Sequence, residues 1–386
     1  MHKARAMTVH HPEPMPADRF AGYPQLRARV VLAIIGVFVV LAALVPIRAA
    51  KQDIQPAGFV EAVAGGSERP AAKRPRDHDL ALYDRVIGRI ARGENYYQAA
   101  ALEHRAANYP LRPGVAVRLP TLAYLNLWLG DRGTGDTDLI WGEVLAAIAL
   151  MLAVIWAWWR RLGDEPGGLR FRLLGTALVF VGASLGLNRY YFVLHELWAG
   201  MLIALALGLH RPGRKWLGAV LAAGLALAIR EHALPFVLLM AATALYRRDW
   251  REAAAWGGVA ALFAIGLTLH LQQVAQVVLP SDVIGPDWLV FRGLPGWLSN
   301  VVLSSNLRFL AHYIAGPLVI LMMAGWAGWN SPLGTTATLL FLGYGLAFMI
   351  AGRPDNFYWG AVIAPAMFAG LAFAPRALAS LVRAAR

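Results

Sequence analysis

The stretch RDHDLALYDRVIGRIARGENYYQAA, residues 76 to 100, gathers three aspartates (Asp77, Asp79, Asp84) and three tyrosines (Tyr83, Tyr96, Tyr97) in an otherwise apolar chain. A carboxylate one helical turn from an aromatic ring can take a proton from an incoming hydroxyl, which is general-base chemistry. Asp79 and Tyr83 have that spacing. Asp77 and Asp79 also stand where a helix would begin, and acidic side chains there cap free N–H groups and oppose the helix dipole. Capping is the better reading of Asp77.

Glu143, Glu196 and Glu231 fall in or at the ends of apolar runs. A charge inside a bilayer costs at least about 2.5 kcal/mol, so such residues face a polar cavity or find a partner. Glu196, with His195 before it and Arg189 two turns earlier, suits a cavity. Glu231 lies between Arg230 and His232 at a span end, where interfacial solvation also suffices, and Glu143 reads as structural. Guanidinium is a planar, permanently charged fork that fits a phosphate, and Arg189, Arg230 and Arg353 are the candidates. Arg353 opens RPDNFYWG, where Asp355 and Asn356 offer polar groups for a sugar and Tyr358 and Trp359 offer faces for stacking. A proline turn with an aromatic belt explains Tyr358 and Trp359 equally well. The ten histidines are dispersed, His10 and His11 in the N-terminal tail, with no pair at metal-ligand spacing. No metal site and no cofactor are predicted, and a divalent cation at a donor phosphate is left open. Phosphate-binding loops, dinucleotide turns and the G-x-S-x-G elbow are absent.

Positioning these residues falls to membrane helices. Hydrophobic residues make up 58% of the 386-residue chain and charged residues only 15%, too oily for a soluble domain. No cysteine is present, which removes disulfides, thiolate metal sites and thiol nucleophiles. A net charge of +13 would suit nucleic acid, but the basic residues cluster between apolar runs, as orientation in a membrane requires. About ten runs approach the length needed to cross a bilayer: 30 to 48, 139 to 159, 173 to 188, 193 to 209, 216 to 230, 233 to 246, 253 to 270, 309 to 328, 334 to 351 and 357 to 374. The first reads as an uncleaved span rather than a secretory signal. Arg160, Arg161, Arg170, Arg172, Arg211, Arg214, Lys215, Arg247, Arg248, Arg251, Arg376, Arg383 and Arg386 then share one side, which places both termini in the cytoplasm of an inner, multi-pass membrane protein.

The expected organisation is a cytoplasmic tail over 1–29 and one transmembrane domain over 30–386. It carries extracytoplasmic loops at 49–138 and 271–308. The first loop opens on QPAGFVEAVAGGSERPAAKRPR, which reads as mobile. Leu80, Tyr83, Val86, Ile87 and Ile90 then recur at helical spacing with Asp84, Arg85, Arg89 and Arg92 off that stripe, predicting an amphipathic helix on the membrane surface that Gly93 ends. A second amphipathic piece is expected over 115 to 129.

The order of a first span, Asp79-x-x-x-Tyr83, Gly93-x-x-Tyr96-Tyr97 and the proline-rich YPLRPGVAVRLP resembles the first extracytoplasmic loop of GT-C glycosyltransferases. Residues 188 to 197, 230 to 235 and 353 to 365 carry weaker echoes. The resemblance implies an all-α, polytopic bundle of about ten spans with amphipathic surface helices in its long first loop. It also implies a polyprenyl-phosphate sugar donor and an essential aspartate early in that loop. Asp79 is preferred for that role, then Asp77, then Asp84.

The expected activity is therefore inverting transfer of a sugar to a hydroxyl of a lipid or glycan acceptor at the extracytoplasmic face. Asp79 acts as base, and Tyr83, Tyr96, Tyr97 and Trp359 act as walls. Residues 271 to 308, with FRGLPGW near their middle, are expected to cover the site. Membrane lipids are the other partner, and nucleic acid is not one. Two alternatives stay open: an ion-coupled transporter using Glu196 and Glu231, and a membrane acyltransferase or polymer ligase with His78, His104 or His195 as base. A transporter would usually show two similar halves with interrupted spans, which the chain lacks.

Overall fold

The computed structural model describes residues 18–47, 76–135 and 137–386. Most of the proline-rich segment from 55 and the tail histidines His10 and His11 lie outside the described residues. The described chain is all-helical, with isolated bridges and no strand. Its α-helices are α1 (Gln25–Leu44), α2 (His78–Ala91), α3 (Tyr96–Ala106), α4 (Thr121–Trp128), α5 (Trp141–Gly163), α6 (Gly168–Ala183) and α7 (His195–Leu209). There follow α8 (Leu217–Ile229), α9 (Leu234–Tyr246), α10 (Trp250–Val277), α11 (Gly293–Leu303), α12 (His312–Gly328), α13 (Pro332–Ile350), α14 (Ala364–Met367) and α15 (Gly370–Ala385).

Among the described residues, five helices are long and apolar enough to cross a membrane: Gln25–Leu44, Trp141–Gly163, Gly168–Leu187, Trp250–Val277 and Pro332–Ile350. Four shorter apolar helices, within 195–209, 217–229, 231–246 and 312–328, complete the bundle. Nine of the ten expected runs thus coincide with an apolar helix. The tenth, 357 to 374, differs: it is broken into a 3-10 segment (Pro354–Val362), the short α14 and α15. Pro354 opens the 3-10 segment, where its missing N–H costs nothing, whereas Pro365 lacks the donor that would carry that segment on as one helix, and the chain breaks at Ile363.

Helix axes approach closely where side chains are small. A Cβ on Gly200 would overlap the Ala361 carbonyl, one on Gly316 the Ala42 carbonyl and one on Gly360 the Asn300 carbonyl. Close backbone approach at small residues is how apolar helices gain dispersion contact where lipid competes for every apolar side chain. The Gly360 contact matters most for the site, because it presses the 354–362 segment onto α11.

Helix α2 begins at the Asp77 cap and ends before Gly93, whose φ of +91° suits glycine at a helix terminus. Its apolar stripe does not face lipid. Leu80, Val86, Ile87 and Ile90 are buried in one cluster with Tyr96, Ala99 and Val193, and α2 packs on α3 and α4. Asp84, expected on the polar face, is also buried, at 5% exposure, because Arg76 forms an ion pair with it. An amphipathic stripe signals burial; protein rather than lipid supplies the apolar surface here.

Candidate functional site

The N-terminus of α2 opens into a cavity of about 450 Å³. Asp77 spends its side chain on the helix, accepting from the Asp79 N–H at 2.9 Å. Asp79, one position inside, is left to face the cavity, and there the hydroxyl of Tyr109 donates to its Oδ1. Tyr83 follows one turn on and lines the same space.

Desolvation holds the Asp79 carboxyl above its ordinary range; the Tyr109 bond and the positive charge of Arg118 pull it down, while Asp77 and Asp355 push it up. A carboxylate whose pKa is raised by burial is a stronger base than one in water, and such groups concentrate at functional sites.

The cavity has two characters. Asp77, Asp79, Tyr109 and Asp355 give it polar lining, while Leu185, Leu194, Leu303 and Ala361 give it apolar lining. Arg308 also lines it. Its side chain hydrogen-bonds to Tyr191, and its guanidinium carbon lies 5.8 Å from the Tyr191 ring and 5.2 Å from the Phe309 ring. A guanidinium on a cavity wall is a fixed positive charge suited to an anionic oxygen.

Arg118 stands behind the wall. Its Nε donates to the Tyr83 hydroxyl at 3.0 Å, and its NH2 nitrogen lies 3.5 Å from the Tyr358 hydroxyl. Two cavity-lining rings, one on α2 and one on the 354–362 segment, are thereby fixed by one cation. Tyr96 holds the Arg118 backbone, donating to its carbonyl at 2.8 Å.

Deeper still, Arg230 and Glu196 form an ion pair at 2.7 Å with both side chains 1% exposed. Arg230 also pairs with Glu231, and its NH2 nitrogen lies 3.5 Å from Nε2 of His232. On the far side of Tyr83 a chamber of about 20 Å³ is lined by His195, His104, Asn126 and Arg118. Burial pushes His104 down to about 4, so it is neutral at pH 7.

The structure brings Asp77, Asp79, Tyr83, Asp355 and Tyr358 together around one cavity. The remaining candidates are placed elsewhere. Arg230, Glu196 and Glu231 neutralise one another behind the wall, and His195 lies in the rear chamber. Arg353 is held at the rim by Asp355, at 3.1 and 3.0 Å. Arg189 is exposed, its nearest partner the Asp138 carbonyl at 3.4 Å. Asn356 accepts from the Arg353 N–H at 3.1 Å and steadies Tyr358 at 3.3 Å. Tyr97 packs on Tyr96 and His270, and Trp359 stands against His232 with ring centroids 4.5 Å apart. FRGLPGW forms the start of α11, whereas the cavity is flanked by the other end of that helix and by Arg308. No group of three or more metal-ligating side chains is found among the described residues.

Sequence reading did not single out Tyr109, Arg118 or Arg308 for the site. The only local signal for Arg118 is a lone cation between Val117 and Leu119; Tyr109 and Arg308 give none.

Fold and site together define an all-helical protein with helices apolar and long enough for a membrane and an amphiphilic cavity beside them. No family model matches the chain, and neither a curated protein nor a solved structure does so.

Proposed function

We propose that the chain is a polytopic membrane glycosyltransferase of GT-C type. It moves a sugar from a polyprenyl phosphate to a hydroxyl of a lipid or glycan acceptor, with inversion. The observation that carries this reading is the cavity itself: a desolvated carboxylate, an arginine and leucines line one space. An amphiphile with a sugar, a phosphate and an isoprenoid tail presents a group to match each of the three.

In this mechanism the acceptor oxygen attacks the anomeric carbon as its proton passes to Asp79. The bond from that carbon to the phosphate oxygen breaks, and the polyprenyl phosphate leaves with the electron pair. Arg308 meets the phosphate charge, and Tyr83 and Tyr358, held by Arg118, wall the sugar. Because the leaving group is already activated, the protein contributes position, a base and fixed charge.

The orientation reading agrees with this assignment. Helix α6 carries Arg170 and Arg172 near its N-terminus, and Leu185 just beyond its C-terminus lines the cavity, so these cations and the cavity lie at opposite ends. The cavity is then extracytoplasmic, and about ten helical segments cross or enter the membrane. Acyl transfer remains the second reading because His78 also lines the cavity.

The test is transfer of radiolabelled sugar from a panel of polyprenyl-phosphate sugars by membranes containing the protein, with His78→Gln alongside wild type. Transfer that survives His78→Gln supports the proposal. Absence of transfer from every donor, with acyl transfer abolished by His78→Gln, would replace it.

A further inference from the structure

Residues 278 to 292 connect α10 to α11, and hydrogen bonds fix both ends of the connection. Near α10, the backbone N–H groups of Leu111 and Arg112 donate to the Val283 carbonyl at 3.2 and 3.3 Å, and Gly285 returns a bond to Arg112 at 2.6 Å. Near α11, Gly352 donates to the Trp288 carbonyl and Arg292 to the Met349 carbonyl, both at 2.7 Å. The second pair clamps residues 288 to 292 against the end of α13.

Within that clamp the side chains face the wrong way for water. Leu289 is 81% exposed, Phe291 83% and Val290 39%. Burying large apolar side chains is favourable, and the backbone bonds at Trp288 and Arg292 hold these three in place. Of the charges nearby, Arg292 donates to Oδ1 of Asn300 at 3.0 Å and Asp282 pairs with Arg105 at 2.7 Å, while Asp287 is exposed two positions before Leu289.

Helix α13 sets the depth. Its 19 residues match the roughly 20 needed to cross the hydrocarbon core, and its exposed Leu339, Leu342, Leu346 and Ile350 recur three and four apart as one stripe. That stripe ends at Ile350, beside the Met349 clamp. Helix α10 has 28 residues, or about 42 Å, which exceeds a core of about 30 Å. The connection therefore descends from the projecting end of α10 to the membrane-level end of α13.

We propose that Leu289, Val290 and Phe291 form an apolar peg seated in the lipid leaflet at the end of α13. The peg holds the α10–α11 connection at a fixed height. The idea is independent of the catalytic reading and rests on α13 being a membrane span.

The chain has no cysteine, so single cysteines can be spin-labelled without background. Leu289→Cys, Phe291→Cys, Leu346→Cys and Ser281→Cys are reconstituted in phosphatidylcholine–phosphatidylglycerol vesicles. Collision with molecular oxygen is compared with collision with a water-soluble nickel chelate. Labels at 289 and 291 are expected to favour oxygen as the 346 label does, while 281 favours nickel. Labels at 289 and 291 that behave like 281 would overturn the peg. Labels shielded from both reagents would overturn it in favour of a protein partner, and a 346 label that favours nickel would remove its footing in α13.

Discussion

The hydroxyl of Tyr109 donates a hydrogen bond to Oδ1 of Asp79 across thirty residues of sequence. A donor on a carboxylate favours its charged form, so this bond opposes the desolvation that raises the Asp79 pKa. Tyr109→Phe is expected to move the acid limb of the pH profile of kcat/KM to higher pH. Asp77→Asn, which retains helix-capping ability, removes a neighbouring negative charge and is expected to move it to lower pH. Opposed shifts in the two profiles check the assignment of the base; an unmoved acid limb in both would contradict it.

The same raised pKa has a consequence for stability. A carboxyl whose folded pKa lies above its unfolded value binds its proton more tightly when folded, so its favourable contribution is complete below the unfolded pKa and is lost as pH rises through the folded one. Above its folded pKa the ionised Asp79 therefore destabilises the fold. Asp79→Asn is expected to raise Tm in detergent at pH 7, with the gain shrinking as pH falls below the folded pKa.

Glu196 and Arg230 are both 1% exposed, and removing one member of such a pair leaves a buried charge uncompensated, at a cost of about 3–5 kcal/mol. Arg230→Met is expected to lose thermal stability on that scale. The double variant Arg230→Met with Glu196→Leu is expected to recover part of the loss, because Glu231 still lacks its partner. Thermal unfolding of the three proteins in one detergent gives the comparison.

Gly360 presses the segment bearing Asp355 and Tyr358 onto α11, where a Cβ would overlap the Asn300 carbonyl. Gly360→Ala is expected to push that segment outward and separate Tyr358 from Arg118. Activity should fall more than helix content, measured by sugar transfer and far-ultraviolet circular dichroism on the same preparation.

Hydropathy alone located nine of the apolar helices, because twenty apolar residues in a row have few other uses. The Asp77 cap and the Gly93 stop were legible for a similar reason: each satisfies a local backbone requirement. The site was legible only in part. Asp79 and Tyr83 are four residues apart on one helix, but Arg118 reaches Tyr83 across 35 positions and Tyr358 across 240. Arg308 becomes a site candidate only when its place on the cavity wall is seen. Arg230, prominent in sequence as a cation at a span end, proves to be neutralised by neighbours that no periodicity relates.

Arg308 gives the cavity wall a permanent positive charge. A hydrogen bond to a charged group contributes about 1.5–3 kcal/mol, so Arg308→Gln is expected to weaken binding of a polyprenyl-phosphate sugar about ten- to hundredfold, seen as a raised KM or in direct titration. Arg189→Gln, at an exposed site away from the cavity, serves as the control and should bind as wild type does.

The central claim is that Asp79 takes the acceptor proton, and single-turnover transfer by purified wild type and Asp79→Asn tests it most directly once donor binding by both has been measured. The account predicts that Asp79→Asn binds the donor as tightly as wild type and transfers its sugar about 10²- to 10⁴-fold more slowly, the usual contribution of a positioned base. Transfer by Asp79→Asn at the wild-type rate would contradict it.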